Sequence, residues 1–188
     1  WYVGASPDKP TDTKTLIYSY NASYDDANSQ LNESSGQFAL AYTAIENANL
    51  AIAGLRKYGN VENNAGMRYL LGEALVLRAL YYHDLVKAWG DVPARFQPIG
   101  ETGDVIKPKN DRDVIYRQII SDLEEAVNYV YWPNESGKTG LTTRVNKAFA
   151  YGLLARVCLS AAGYSQRPDE GQIGTGNVGQ NRRSRLTE

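Results

Sequence analysis

The 188 residues suffice for one ordinary domain, which at this size buries roughly 70% of its unfolded surface and needs no disulfide or metal to fold. Lys plus Arg (20) and Asp plus Glu (21) leave a net charge of −1, which argues against nucleic acid as a partner, because that needs a basic surface. Tyrosine is over-used, 14 against 3 Phe, and its apolar ring with a polar tip suits half-wet helix packing and sugar contact.

Residues 1–36 are polar and turn-rich, with Gly4, Pro7, Pro10 and Gly36, and they predict a long loop. Their aromatic content gathers at Tyr18, Tyr20 and Tyr24, with Trp1 and Tyr2 ahead of them. Residues 37–58 predict the first helix: Phe38, Tyr42, Ile45, Asn49, Ile52 and Leu55 or Arg56 follow the helical step, amid many alanines. Ser34 or Ser35 can cap its start and Gly59 its end. Residues 65–89 predict the second helix, where Leu71, Ala74, Leu75, Arg78, Tyr82, Leu85 and Trp89 share one side. Gly90 can end it in the left-handed conformation, and Pro93 cannot continue it. The short link 59–64 predicts antiparallel neighbours.

Residues 90–110 read as a loop with Pro93, Pro98 and Pro108. Asn110 or Asp111 can cap a third helix over 112–131, with Val114 or Ile115, Ile119, Leu123, Ala126 and Val130 inward and an Asp113–Arg117 pair on the surface. A second loop, 132–142, precedes a fourth helix over 144–162 capped by Thr143. Its packing side reads as Val145, Ala148, Phe149, Gly152, Leu153, Ala155, Arg156 and Leu159, and Gly163 ends it. Residues 164–188 lose the pattern and read as a flexible loop or tail.

Two helix pairs predict an all-α fold of stacked, tetratricopeptide-like pairs over 37–163, with long loops. Small residues stand where helices would cross closely, Gly72 and Ala79 in one pair and Ala148, Gly152 and Ala155 in the other. Two pairs leave an apolar end face open, because stacked repeats need about three for stability. No apolar run approaches the ~20 residues that span a bilayer. A start of Trp1-Tyr2-Val3-Gly4-Ala5 has no signal-peptide character, and a leader removed before it would leave the compartment open.

Chemistry-bearing motifs are sparse. The run 174–179, Gly-Thr-Gly-Asn-Val-Gly, matches a dinucleotide fingerprint in letters, but it has neither the strand before it nor the helix after it that pyrophosphate binding needs. His83 is the single histidine, which excludes a histidine-rich metal site and predicts a half-buried packing residue. Cys158 is the single cysteine, placed mid-helix as a small buried hydrophobe. The scattered acids isolate no carboxylate pair of the kind a glycosidase uses, so no catalytic residue, metal or cofactor is assigned. Arg78 lies on an apolar side and needs a partner, with Glu73 or a helix-end carbonyl the nearest choices. Tyr18, Tyr20 and Tyr24 are the candidate ligand contacts, since aromatic faces stack on the C–H faces of sugars and loops can present them.

The segment Glu73-Ala74-(two)-Leu77-Arg78-Ala79-(one)-Tyr81-Tyr82-(two)-Leu85-Val86-(two)-Trp89-Gly90-Asp91-Val92-Pro93 resembles the signature of the SusD/RagB family. Flanking segments agree, around Ala41–Asn49, Val114–Ala126 and Arg144–Leu159, so that the resemblance covers about residues 38–163. It implies a tetratricopeptide-like region from the N-terminal third of a longer SusD-like lipoprotein, lipid-anchored at the outer-membrane surface of Bacteroidetes. It further implies non-catalytic capture of oligosaccharide, polysaccharide or peptide for a SusC-like TonB-dependent transporter. A helical-repeat scaffold for a protein or peptide partner is the alternative.

Overall fold

A computed structural model describes residues 36–184 apart from 104, 142, 170, 174 and 176–178. The candidate contacts Tyr18, Tyr20 and Tyr24, with the proposed caps Ser34 and Ser35, lie outside the described residues. Among the described residues, five helices and two short strands follow in chain order: α1 Gln37–Tyr58, α2 Ala65–Trp89, α3 Ile99–Thr102, α4 Arg112–Ala126, α5 Lys147–Ala162, β1 Ser165–Arg167 and β2 Gln180–Arg182. The chain divides into two compact units within α1, between Ala44 and Ile45.

The second unit holds a core centred on α2. Tyr69, Leu71, Leu75, Val76, Ala79, Tyr82, Leu85 and Val86 are all buried, so α2 is covered around much of its circumference, as expected for a helix that is apolar on more than one face. Ile45, Ala48 and Ile52 of α1 join this core, as do Ile115, Ile119, Leu123 and Ala126 of α4. The backbones of α2 and α4 come close, and α4 in turn packs on α5. Gly72 makes its approach possible: a Cβ there would stand 2.9 Å from both Tyr129 Cβ and Val130 Cγ1. A small residue is therefore required at Gly72, but its close neighbours are the end of α4 and the turn after it, not α1, its partner in the predicted pair.

Both bounds of α1 and of α2 match the predicted ones. Asn64 caps α2 by accepting from the Gly66 and Met67 N–H groups, and Gly90, at φ 73°, donates its N–H back to the Val86 carbonyl. Asp111, one of the two expected caps, starts α4 by accepting from the Asp113 N–H.

Several expectations need correction. First, α4 stops at Ala126 rather than 131: Asn128 and Tyr129 donate to carbonyls three residues back, and the Asn128 side chain takes the Glu124 carbonyl. Val130 is still buried, so the stripe outlasts the helix. Second, Asn146 rather than Thr143 caps α5, accepting from the Phe149 N–H. The stretch before it is pinned instead, by Tyr69 Oη donating to the Val145 carbonyl and by the Lys147 N–H donating to the Tyr131 carbonyl.

Third, of the packing side predicted for α5 only Val145 and Leu153 are buried. Ala150, Leu153, Val157 and Ala161 face inward; Ala148, Phe149, Gly152, Ala155, Arg156 and Leu159 are exposed, as is Cys158. A Cβ on Gly152 would meet nothing within 4 Å. The helix has two apolar stripes, and α2 and α4 cover one. Fourth, residues 164–188 contain an antiparallel pair, with Gln166 opposite Asn181 in the register. Gly179 enters β2 at φ 63°, where a Cβ would lie 1.6 Å from the Arg167 carbonyl oxygen. Arg167, 1% exposed, ties the pair to the start of α4 through Asp113 and Asp111, and also donates to Ser184 Oγ just after β2. Asp113 is thus buried against Arg167 and is not a surface residue.

Candidate functional site

The signature helix supplies the best-defined polar cluster. Arg78 is buried and grips Asp122 of α4 bidentately, Nε to Oδ2 and Nη2 to Oδ1, both at 2.8 Å. Its Nη1 donates to Asn49 Oδ1 at 3.0 Å and to the Phe96 carbonyl at 3.1 Å. Asn49 in turn donates to the Arg95 carbonyl, and Gln118 donates to Asp122 Oδ1. The expected partner Glu73 is not used: it accepts from Arg144, at 3.1 and 2.5 Å. A buried guanidinium needs several acceptors to offset its desolvation, and those are brought by α1, α4 and the 90–98 loop.

The rest of the signature shapes that loop. Tyr82 Oη donates to the Arg95 carbonyl and accepts from the Arg95 N–H, each at 2.6 Å. Burial, the largest cause, pushes the Tyr82 hydroxyl above the usual phenol range, so it stays protonated in this role. Asp91 Oδ1 accepts from the Arg112 N–H at 3.0 Å and from Arg112 Nε at 2.9 Å, linking the end of α2 to the start of α4. Val92 is buried beside it. Arg78, Tyr82, Asp91 and Val92 therefore act as a scaffold, holding a proline-containing loop across three helices.

His83 is 2% exposed and shares a hydrogen bond with Ser160 Oγ at 3.1 Å across the α2–α5 contact. Burial first, then Lys87, lowers its pKa, so the imidazole is a sealed neutral packing group. It is more buried than the half-buried residue expected. No group of three His, Cys, Asp or Glu among the described residues could hold a metal ion. A cleft of about 220 Å³ is lined by Leu77, Leu80, Thr143, Arg144, Val145 and Phe149, with its guanidinium already committed to Glu73.

Aromatic surface not singled out by the sequence appears where the 132–146 segment meets α5. Trp132 and Tyr151 are 48% and 47% exposed, and their rings stack at 6.0 Å between centroids, 27° from parallel. Lys147 Nζ stands 6.0 Å from the Trp132 ring centroid. Tyr131, the residue before Trp132, stacks on the buried Tyr69 at 5.4 Å. A tryptophan at a loop start and a tyrosine one turn into a helix carry no periodic signal, so their meeting is a tertiary fact.

The model of the SusD-like family described as starch-binding and associating with the outer membrane matches residues 5–159. A SusD-like protein, P38, of Formosa agariphila is 34% identical over 86 residues, covering 45% of this chain and 16% of that protein. A SusD superfamily structure from Parabacteroides distasonis superposes with a TM-score of 0.60 at 30% identity, covering 69% of this chain and 26% of the other. Surface glycan-binding protein A from Bacteroides fluxus superposes with a TM-score of 0.56 at 28% identity, covering 67% and 26%. The chain thus spans about a sixth to a quarter of the length of these relatives. With the family model matched from before α1 to the last turn of α5, this chain belongs to the SusD-like family.

Proposed function

We propose that this chain is the helical part of a cell-surface protein that captures oligosaccharide or polysaccharide without catalysis and delivers it to a SusC-like TonB-dependent transporter. The observation that carries this reading is the family match across residues 5–159, whose description is itself starch-binding. The name of the Bacteroides fluxus relative, a surface glycan-binding protein, supports it. The packed region from α1 to α5 serves as scaffold, and a lipid anchor on the longer protein holds it at the outer membrane. Tyr18, Tyr20 and Tyr24 are the proposed ligand contacts, for the stacking reason given above.

Native gel electrophoresis through laminarin, xyloglucan or amylopectin tests this. Retardation by one of these glucans is expected, with a loss of about ten-fold in affinity when Tyr18, Tyr20 and Tyr24 are all changed to Ala. Retardation that survives the triple change removes the three tyrosines from the site; no retardation by any of the three removes the glycan reading from this chain. The second reading, a scaffold for a protein or peptide, is favoured by the open apolar stripe of α5 with Phe149 and Leu159. Recovery of a barrel protein with this chain, alongside no glycan retardation, would select it.

A further inference from the structure

We propose that Trp132 and Tyr151 form a second saccharide platform, on which a pyranose ring of a neutral glycan stacks; this rests on the glycan-capture reading above. The face of an aromatic ring is the negative side of its quadrupole, and the axial C–H bonds of a sugar ring are weakly positive. Two near-parallel rings, each about half open to solvent, present such a surface. The other described ring stack, Tyr69 on Tyr131, has one partner sealed in the core.

The platform is held before any ligand arrives. The Trp132 backbone N–H donates to Glu135 Oε2 at 2.6 Å, and the Asn134 backbone N–H donates to the Thr139 carbonyl at 3.1 Å. Thr139 is buried, and its hydroxyl donates to the Ser136 carbonyl at 3.2 Å, so the turn is closed on itself. Lys147 donates its backbone N–H to the Tyr131 carbonyl at 2.7 Å, which clamps the start of α5 to the residue before Trp132. Tyr151 then follows one turn along α5, beside the indole. Trp and Tyr have two side-chain torsions each, so little entropy is lost when they bind.

The surroundings suit a hydroxyl-rich ligand better than a polypeptide helix. The Lys147 ammonium beside the indole brings three donors, and exposed Asn134 and Glu135 bring amide and carboxylate groups to the same turn. An apolar partner would have to desolvate all of these without pairing them.

The test is native gel electrophoresis of the chain through laminarin, xyloglucan and amylopectin, with Trp132→Ala, Tyr151→Ala and the ring-keeping Trp132→Phe and Tyr151→Phe. The expected result is about ten-fold weaker binding of the retarding glucan for each alanine variant, and a change within about three-fold for each phenylalanine variant. Far-UV circular dichroism checks folding. If Trp132→Ala loses helix content, Tyr151→Ala carries the same reading, because alanine favours helix at that half-exposed position of α5. Alanine variants that bind a retarding glucan as tightly as the parent overturn the platform and leave glycan capture standing. No retardation of the parent by any of the three overturns both.

Discussion

Two sides of the molecule solve the burial problem differently. Where α2 meets α1 and α4, a charged side chain sits in the core, and Asp122, Asn49 and the Phe96 carbonyl all converge on it. On α5 the chemistry is plain: four apolar residues go in, and a second apolar stripe stays out. The first side is closed and specific, because each acceptor must be in place before the guanidinium can be buried. The second has ordinary packing within and an unpaired surface without. A signature rich in polar residues thus marks the place where geometry is dictated, whereas the smoothly apolar helix leaves its orientation to its neighbours.

The largest expected effect breaks the closed side. Asp122→Ala leaves Arg78 buried without its bidentate partner and should destabilise by about 3–5 kcal/mol in urea unfolding. Replacing both, Arg78→Met with Asp122→Leu, should cost less than Asp122→Ala alone, since no charge is then stranded. It will not restore the parent, because Asn49 Oδ1 and the Phe96 carbonyl lose a donor. A loss under about 1 kcal/mol for Asp122→Ala would mean that solvent reaches the cluster and the two sides do not differ.

The same contrast explains what was legible. α1 and α2 could be bounded to the residue because their ends are local chemistry: alanine content, Gly59 at the end of α1 and Gly90 with its left-handed φ at the end of α2; the Asn64 cap appeared only in the structure. The need of Arg78 for a partner was also legible from its place on an apolar face. The identity of that partner was not, because Asp122 is 44 residues away and Glu73 was nearer in sequence. On α5 the period was right and Leu153 was read inward correctly, but most of the stripe was out of phase: with apolar residues on two faces, only the position of α2 and α4 decides which one is buried. The β1–β2 pair was invisible because three-residue strands carry no pattern, and it is held by Arg167 reaching back to Asp113 and Asp111. Of the candidate sites, the loop tyrosines were argued from composition. The Trp132–Tyr151 stack needed the fold, since the two rings come from different segments.

A smaller effect should appear at the seam between the two sides, where His83 of α2 meets Ser160 of α5. Its pKa is lowered in the folded state, by burial first and by Lys87 next, with Arg156 adding and Asp84 opposing. The unfolded chain therefore binds a proton more readily than the native one. Stability is full above the unfolded value of about 6.5 and falls as pH drops below it toward the depressed folded value. Urea midpoints should decline between pH 8 and pH 5.5 by more in the parent than in His83→Gln, which keeps a hydrogen-bonding group for Ser160 but cannot titrate. Equal declines in the two would show that His83 is as well hydrated as an exposed histidine.

The smallest effect belongs to the outer stripe of α5. Leu159 is 76% exposed, so Leu159→Ser removes little buried area and should change stability by no more than about 0.5 kcal/mol. Leu153, on the same helix, is buried against the core and has no such freedom. The near-neutral result is informative because the sequence read Leu159 as inward. A loss of about 2 kcal/mol or more, at the scale of a buried leucine, would mean that something covers this stripe in solution. Dilution then separates the two ways of covering it: a midpoint that falls with protein concentration points to a second copy, and one that does not points to the chain's own residues. With the expected small change, α5 is held by one stripe alone, and its second stripe is free to meet another surface without any cost to the fold that presents it.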